Sequence, residues 1–93
     1  MDIATMDIAL LKENEYGKTY QADGFKILYR NKGTTIGDND INAEELIYII
    51  TGSAEITLRD KTWKVDAPTK IEFPAKTYHK IEALTDISFI LYV

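Results

Sequence analysis

Cysteine is absent from the 93 residues, which removes disulfides, thiolate metal ligands and cysteine nucleophiles together, and with them the small secreted disulfide scaffold. Histidine occurs once, at position 79, leaving little material for a Ser-His-Asp arrangement. No G-x-S-x-G, P-loop or dinucleotide glycine pattern is present. No apolar run approaches the roughly 20 residues that a transmembrane helix needs. The opening MDIATMDIALLKEN carries acids where a signal peptide would carry positive charge. These features lead us to expect an intracellular, cytoplasmic protein with no membrane partner. Basic residues are outnumbered, 11 Lys and Arg against 15 Asp and Glu, and they are scattered along the chain. The resulting net charge of −4 argues against nucleic acid, whose phosphates demand clustered cations. Linkers, low-complexity tracts and a second composition are also missing, so 1–93 reads as one domain.

What the chain does have is a globular composition, 45% apolar and 28% charged, and a period of two. In GFKILYRN, Phe25, Ile27 and Tyr29 share one face, which would set the Tyr29 hydroxyl at a barrel mouth. In EELIYII, Glu45, Ile47 and Ile49 share one face and Leu46, Tyr48 and Ile50 the other. Both faces of that segment are mostly apolar, as in a strand that lines a core on one side and meets a second sheet or subunit on the other. SAEITLRD alternates Ala54, Ile56 and Leu58 against Glu55, Thr57 and Arg59, giving one wet face. The turn RDKT implies a hairpin into WKV, where Trp63 with Val65 is expected in the core, and DAPTKIEFPAKTYHKIEALTD adds two more strands with Pro68 and Pro74 at their edges. MDIATMDIALL fits either a strand or one helical turn. About seven or eight short strands with no room for βαβ crossovers predict an antiparallel sandwich or barrel. A barrel of this size has a modest core and exposed apolar sheet, which favours a homodimer through Leu46, Tyr48 and Ile50.

The residues around GTTIGDNDINAEELIYIITG and PTKIEFPAKTYHKIEA resemble the two motifs of the cupin superfamily. The first, G-x5-H-x-H-x3,4-E-x6-G, overlays Gly33, then Asn39 and Ile41 in the two histidine slots, then Glu45 and Gly52, with every spacing kept. The second, G-x5-P-x-G-x2-H-x3-N, overlays Pro74 and His79, with Pro68, Lys76 and Ala83 in the remaining slots. Between Gly52 and Pro68 lie 15 residues, a short inter-motif stretch of the kind small cupins have. The resemblance covers residues 33–83 and implies an all-β, double-stranded β-helix of the jelly-roll type, a cupin barrel. It also implies that Glu45 and His79 occupy positions where metal-binding cupins place a carboxylate and an imidazole.

Alternation independently puts Glu45 with Ile47 and Ile49, and His79 with Ile81 and Ala83, so both polar groups head apolar faces and are expected to converge. A carboxylate is rarely left unpaired in a core, and a Glu45–His79 pair would meet that requirement without a metal. The best-spaced overlay leaves only these two protein donors of strength, since Ile41 has no donor atom and Asn39 is a weak neutral one. With the longer spacer, Asp38 and Asp40 take the histidine slots and would give, with Glu45 and His79, an oxygen-rich site for a divalent metal ion. Asp-Asn-Asp beside a glycine is also what a solvated turn looks like, and we favour the turn. The same residues start like an EF-hand at Asp38, Asp40 and Asn42, but Ala43 and Ile49 stand where the loop needs Gly and Glu. Three functions stay open. The first is a small homodimeric cupin binding a small organic ligand in its barrel through Glu45, His79, Asn39 and Tyr29, with no metal cofactor. The second is a metal-dependent isomerase, epimerase or oxygenase using His79, Glu45 and Asp38 or Asp40. The third is a non-catalytic interaction subunit with a filled barrel.

Overall fold

The computed structural model describes residues 1–92, and every regular element among them is a strand. These are β1 (Ala9–Asn14), β2 (Gly17–Gln21), β3 (Phe25–Arg30), β4 (Thr35–Asn39) and β5 (Glu45–Thr51), followed by β6 (Ser53–Leu58), β7 (Lys61–Asp66), β8 (Thr69–Phe73), β9 (His79–Ala83) and β10 (Ile87–Tyr92). No helix among the described residues is long and apolar enough to cross a membrane. The count exceeds the seven or eight strands expected, and the reason lies in β1, β2 and β4. In GKTYQ the inward positions are Thr19 and Gln21, so no hydrophobic alternation announces β2. In TIGDN a glycine and two turn-forming residues sit inside a strand, at an irregular pairing with β9 between Ile36 and Asn39.

Two antiparallel sheets face each other. One has the order β1-β2-β3-β10-β5-β8 and the other β4-β9-β6-β7. From β3 onward the chain changes sheet at each step except within the β6–β7 hairpin. That winding is a jelly roll, and it explains how strands distant in sequence become neighbours: β10 lies between β3 and β5, and β9 between β4 and β6. Gly52 makes one of the crossings possible. Its φ of +87° suits glycine, and a Cβ there would fall 2.2 Å from the carbonyl oxygen of Asp86.

The core forms where the inner faces meet. Leu28, Ile47, Ile49, Phe73, Ile87 and Phe89 come from the large sheet, and Ala54, Ile56, Ile81 and Ala83 from the small one. Burying each large side chain contributes about 1.5–3 kcal/mol, which is why alternation on β5, β6, β9 and β10 follows the sequence pattern closely. Two expectations fail. Phe25, Ile27 and Tyr29 do share a face, but it is the outer one, and Leu28 is the buried residue of β3. Trp63 pairs with Ile56 yet stays 48% exposed, because β7 is an edge strand where the two sheets part.

The outer face of the large sheet is largely apolar from β1 to β5. Leu10, Tyr20, Ile27, Ile90 and Tyr48 are successive cross-strand partners on β1, β2, β3, β10 and β5. Phe25, Tyr92 and Leu46 form the next row, with Phe25–Tyr92 and Tyr48–Tyr92 ring centroids 5.8 and 5.7 Å apart. Leu46 and Tyr48 lie on the side away from the core, as their alternation requires.

Candidate functional site

Glu45 opens β5 and His79 opens β9, in opposite sheets, and each occupies the inward set of its strand. They meet: His79 Nε2 lies 3.3 Å from Glu45 Oε1. The imidazole is 2% exposed, while the Glu45 side chain retains 25% exposure and reaches toward the barrel end. Phe73, which faces Glu45 across β8, lies against the His79 ring with centroids 4.4 Å apart. At the Cε1–Nδ1 edge of the ring is Gly37, where an added Cβ would come within 2.7 Å of Cε1 and 3.0 Å of Nδ1. The sequence folds this way locally because only a glycine, at φ +69°, lets β4 pass the imidazole so closely. With Nε2–H donating to the carboxylate, Nδ1 is the one buried side-chain polar atom without a partner among the described residues.

Of the other sequence candidates only Asn39 comes alongside, as the cross-strand partner of His79, and its side chain does not join the pair. Asn39 is exposed, and its Oδ1 accepts the backbone N–H of Ile41 in a local turn. Asp38 Oδ1 accepts the hydroxyl proton of Tyr78, and this hydrogen bond, with smaller effects of burial and charge, raises the Tyr78 pKa above its ordinary value. Asp40 is exposed. Tyr29 lies on the outer face, 48% exposed, edge-on to Tyr20 at 6.1 Å, so its hydroxyl is not at the barrel mouth. Asn42, unremarked in the sequence, is buried and ties two loops together. Its Nδ2 donates to the carbonyls of Ala43 and Pro74, and its Oδ1 accepts from Thr77 N–H. That role is structural.

A transition ion of the kind metal-binding cupins hold needs three or more strong donors around an open position. No group of three or more His, Asp or Glu side chains among the described residues could hold a metal. Of the two donors that do converge, His79 Nε2 and Glu45 Oε1 bond each other, and Nδ1 is crowded by Gly37. The residues present do not fit the ion.

A different feature offers open space. Between the inner face of β1–β3 and strand β4 lies a cleft of about 560 Å³, with Lys12, Thr19 and Arg30 on one side and Thr34, Thr35 and Gly37 on the other. Arg30 holds its position through three hydrogen bonds: Nη1 donates to the carbonyls of Lys18 and Tyr29 at 3.0 and 2.8 Å, and Nη2 to Thr19 Oγ1 at 2.8 Å. Desolvation by the surrounding sheet lowers the Arg30 pKa, and the guanidinium still stays charged at neutral pH. Sequence reasoning missed this group because its members come from separate strands joined only by the sheet. The available signal was Arg30 itself, at the end of the polar-flanked inner set Lys26, Leu28, Arg30.

The chain matches no protein-family model and no curated protein sequence. Its fold has many solved counterparts. It is similar to a cupin superfamily protein from Desulfitobacterium hafniense, with a TM-score of 0.67 at 14% identity over 98% of this chain and 78% of that one. It is similar to a cupin-2 domain protein from Rhodospirillum rubrum, with a TM-score of 0.72 at 12% identity over 92% and 67%. The capsular polysaccharide assembling protein CapF from Staphylococcus aureus aligns with a TM-score of 0.76 at 15% identity over 95% of this chain, which spans only 28% of CapF. The protein has the cupin fold, as the motif resemblance implies.

Proposed function

We propose that the protein is a cupin-fold module that binds a small polar organic molecule between its two sheets, without a tightly bound transition metal. The observation that carries this reading is the cleft of about 560 Å³ lined by Lys12, Thr19, Arg30, Thr34 and Thr35. Its size lies in the range of small-molecule sites, and Lys12, Thr19 and Arg30 all belong to the inward sets of their strands. Glu45 and His79 serve as a polar tie between the sheets, so they hold the ligand's frame and do not touch it. The metal-dependent alternative needs Asp38 and Asp40 beside His79, and Asp38 is engaged by Tyr78. Backbone amide NMR of the uniformly labelled chain, screened against sugars, organic acids and nucleotides, tests the proposal. Saturable shifts at Thr19, Thr34, Thr35 and Gly37 are expected from at least one compound. Shifts confined to Glu45 and His79, or none, would count against it.

The apolar outer face supports a second element of the reading, self-association. The rim of the stripe carries ion pairs of no net charge, Lys18–Glu13 at 3.1 Å at one end and Lys70–Glu72 at 3.2 Å at the other. A two-fold contact therefore brings no block of like charge together, although the chain as a whole is acidic.

A further inference from the structure

Resting on the cleft reading above, we infer that its ligand is an oxyanion, a carboxylate or a phosphate ester, held by Arg30 and Lys12. The lining has two cations and no carboxylate. In a chain with 15 acids against 11 bases that segregation is the reverse of the average surface. Glu13, next to Lys12 on β1, points the other way and pairs with Lys18 on the outer side, and Asp38, next to Gly37 on β4, is engaged by Tyr78.

Arg30 is the stronger half of the argument. Its guanidinium is half-buried, and no carboxylate pairs with it among the described residues. A desolvated charge without a counter-ion is costly, and the cost is relieved when an anion arrives. Three of its five N–H groups are taken by Lys18, Tyr29 and Thr19, which fix the plane of the fork. Nε–H and the second Nη2–H have no partner among the described residues, and a carboxylate or phosphate accepts two such donors at once. Thr19 is buried, and because its Oγ1 accepts from Arg30, its own hydroxyl proton is available to an acceptor in the cleft. Lys12 is exposed at the entrance and adds an adjustable second charge. A neutral ligand would satisfy the threonines and leave the guanidinium uncompensated. A cation would face repulsion from both basic groups.

The test is titration of the full chain, followed by amide and Arg Nε–H resonances, with inorganic phosphate, citrate and ribose at matched ionic strength and a sodium chloride control. One of the two anions should shift Thr19, Thr34, Thr35, Gly37 and Arg30 Nε–H saturably, with a Kd of about 1 mM or tighter. Phosphate and citrate distinguish the two ligand chemistries. Lys12→Gln should weaken that binding roughly threefold to tenfold, as loss of a partly screened charge does. Arg30→Lys should weaken it further, since the bidentate fork is gone. Because Arg30 also supports the sheet, Lys12→Gln is the variant that keeps the test free of folding effects. Ribose binding as well as either anion, with Lys12→Gln indifferent, would overturn the oxyanion inference and leave the cleft reading intact. Shifts equal to those of sodium chloride, or none with anions up to about 50 mM, would also overturn it. If the wider compound screen is silent as well, the cleft reading falls too.

Discussion

Replacing Gly37 with alanine is the sharpest single perturbation of the Glu45–His79 site. Two costs add. The backbone at φ +69° disfavours any Cβ by about 1–2 kcal/mol. The new methyl would also stand 2.7 Å from His79 Cε1 and 3.0 Å from Nδ1, closer than real Cβ contacts come. The imidazole has little freedom to retreat, because the Phe73 ring packs against it with centroids 4.4 Å apart and Glu45 Oε1 lies 3.3 Å from Nε2. Forcing a methyl into a packed site of this kind costs about 1–3 kcal/mol. The sum, roughly 2–5 kcal/mol, corresponds to a loss of roughly 10–40 °C in Tm for a domain of this size. Urea denaturation and calorimetry both read it. The steric part should vanish when the ring is removed, so Gly37→Ala combined with His79→Ala should be less destabilised than the sum of the single variants by about 1–3 kcal/mol. A Gly37→Ala protein within about 0.5 kcal/mol of wild type, or strict additivity in the cycle, would refute the packing argument.

Glu45→Ala leaves His79 Nε2 without its only partner and should destabilise by about 1–3 kcal/mol in urea denaturation, whereas Glu45→Gln, which keeps an acceptor of the same shape, should cost less. Tyr78→Phe removes a phenol that ionises above the ordinary tyrosine value because it donates to Asp38, and absorbance titration should lose that late step. The sign follows from the raised folded-state pKa: the Tyr78–Asp38 contribution to stability is present below the ordinary tyrosine value and is lost as pH rises through the folded one. Ile90→Asp, at the centre of the outer stripe, should convert a dimer to a monomer in sedimentation equilibrium at micromolar concentration, and a wild-type protein already at monomer mass would end the self-association proposal.

How much of the fold and site is legible in the sequence depends on whether a residue's surroundings are local. β5, β6 and β9 announce themselves because their inward residues are apolar and their period is two, and that same period is enough to bring Glu45 and His79 to one interior. The cupin spacing survives in Gly33, Glu45, Gly52, Pro74 and His79, while the loss of donors at Asn39 and Ile41 is equally plain in the sequence. Period alone does not say which face is inner. On β3 the outer face, with Phe25, Ile27 and Tyr29, is the more apolar one, so alternation sends Tyr29 to the wrong side. Trp63 misleads for a related reason, since its strand pairs on one side only. The cleft around Arg30 is invisible in the sequence because it exists only once β1, β2, β3 and β4 are brought together by the winding of the chain.

We propose that the Glu45–His79 pair, with the Phe73 ring against the imidazole and Gly37 at its edge, leaves no room for a transition ion at that site. Elemental analysis of protein purified without an affinity tag tests that claim directly. We expect Fe, Mn, Ni, Cu and Zn each far below one equivalent per chain, unchanged in His79→Ala. Close to one equivalent of any of them, lost on replacing His79, would contradict it.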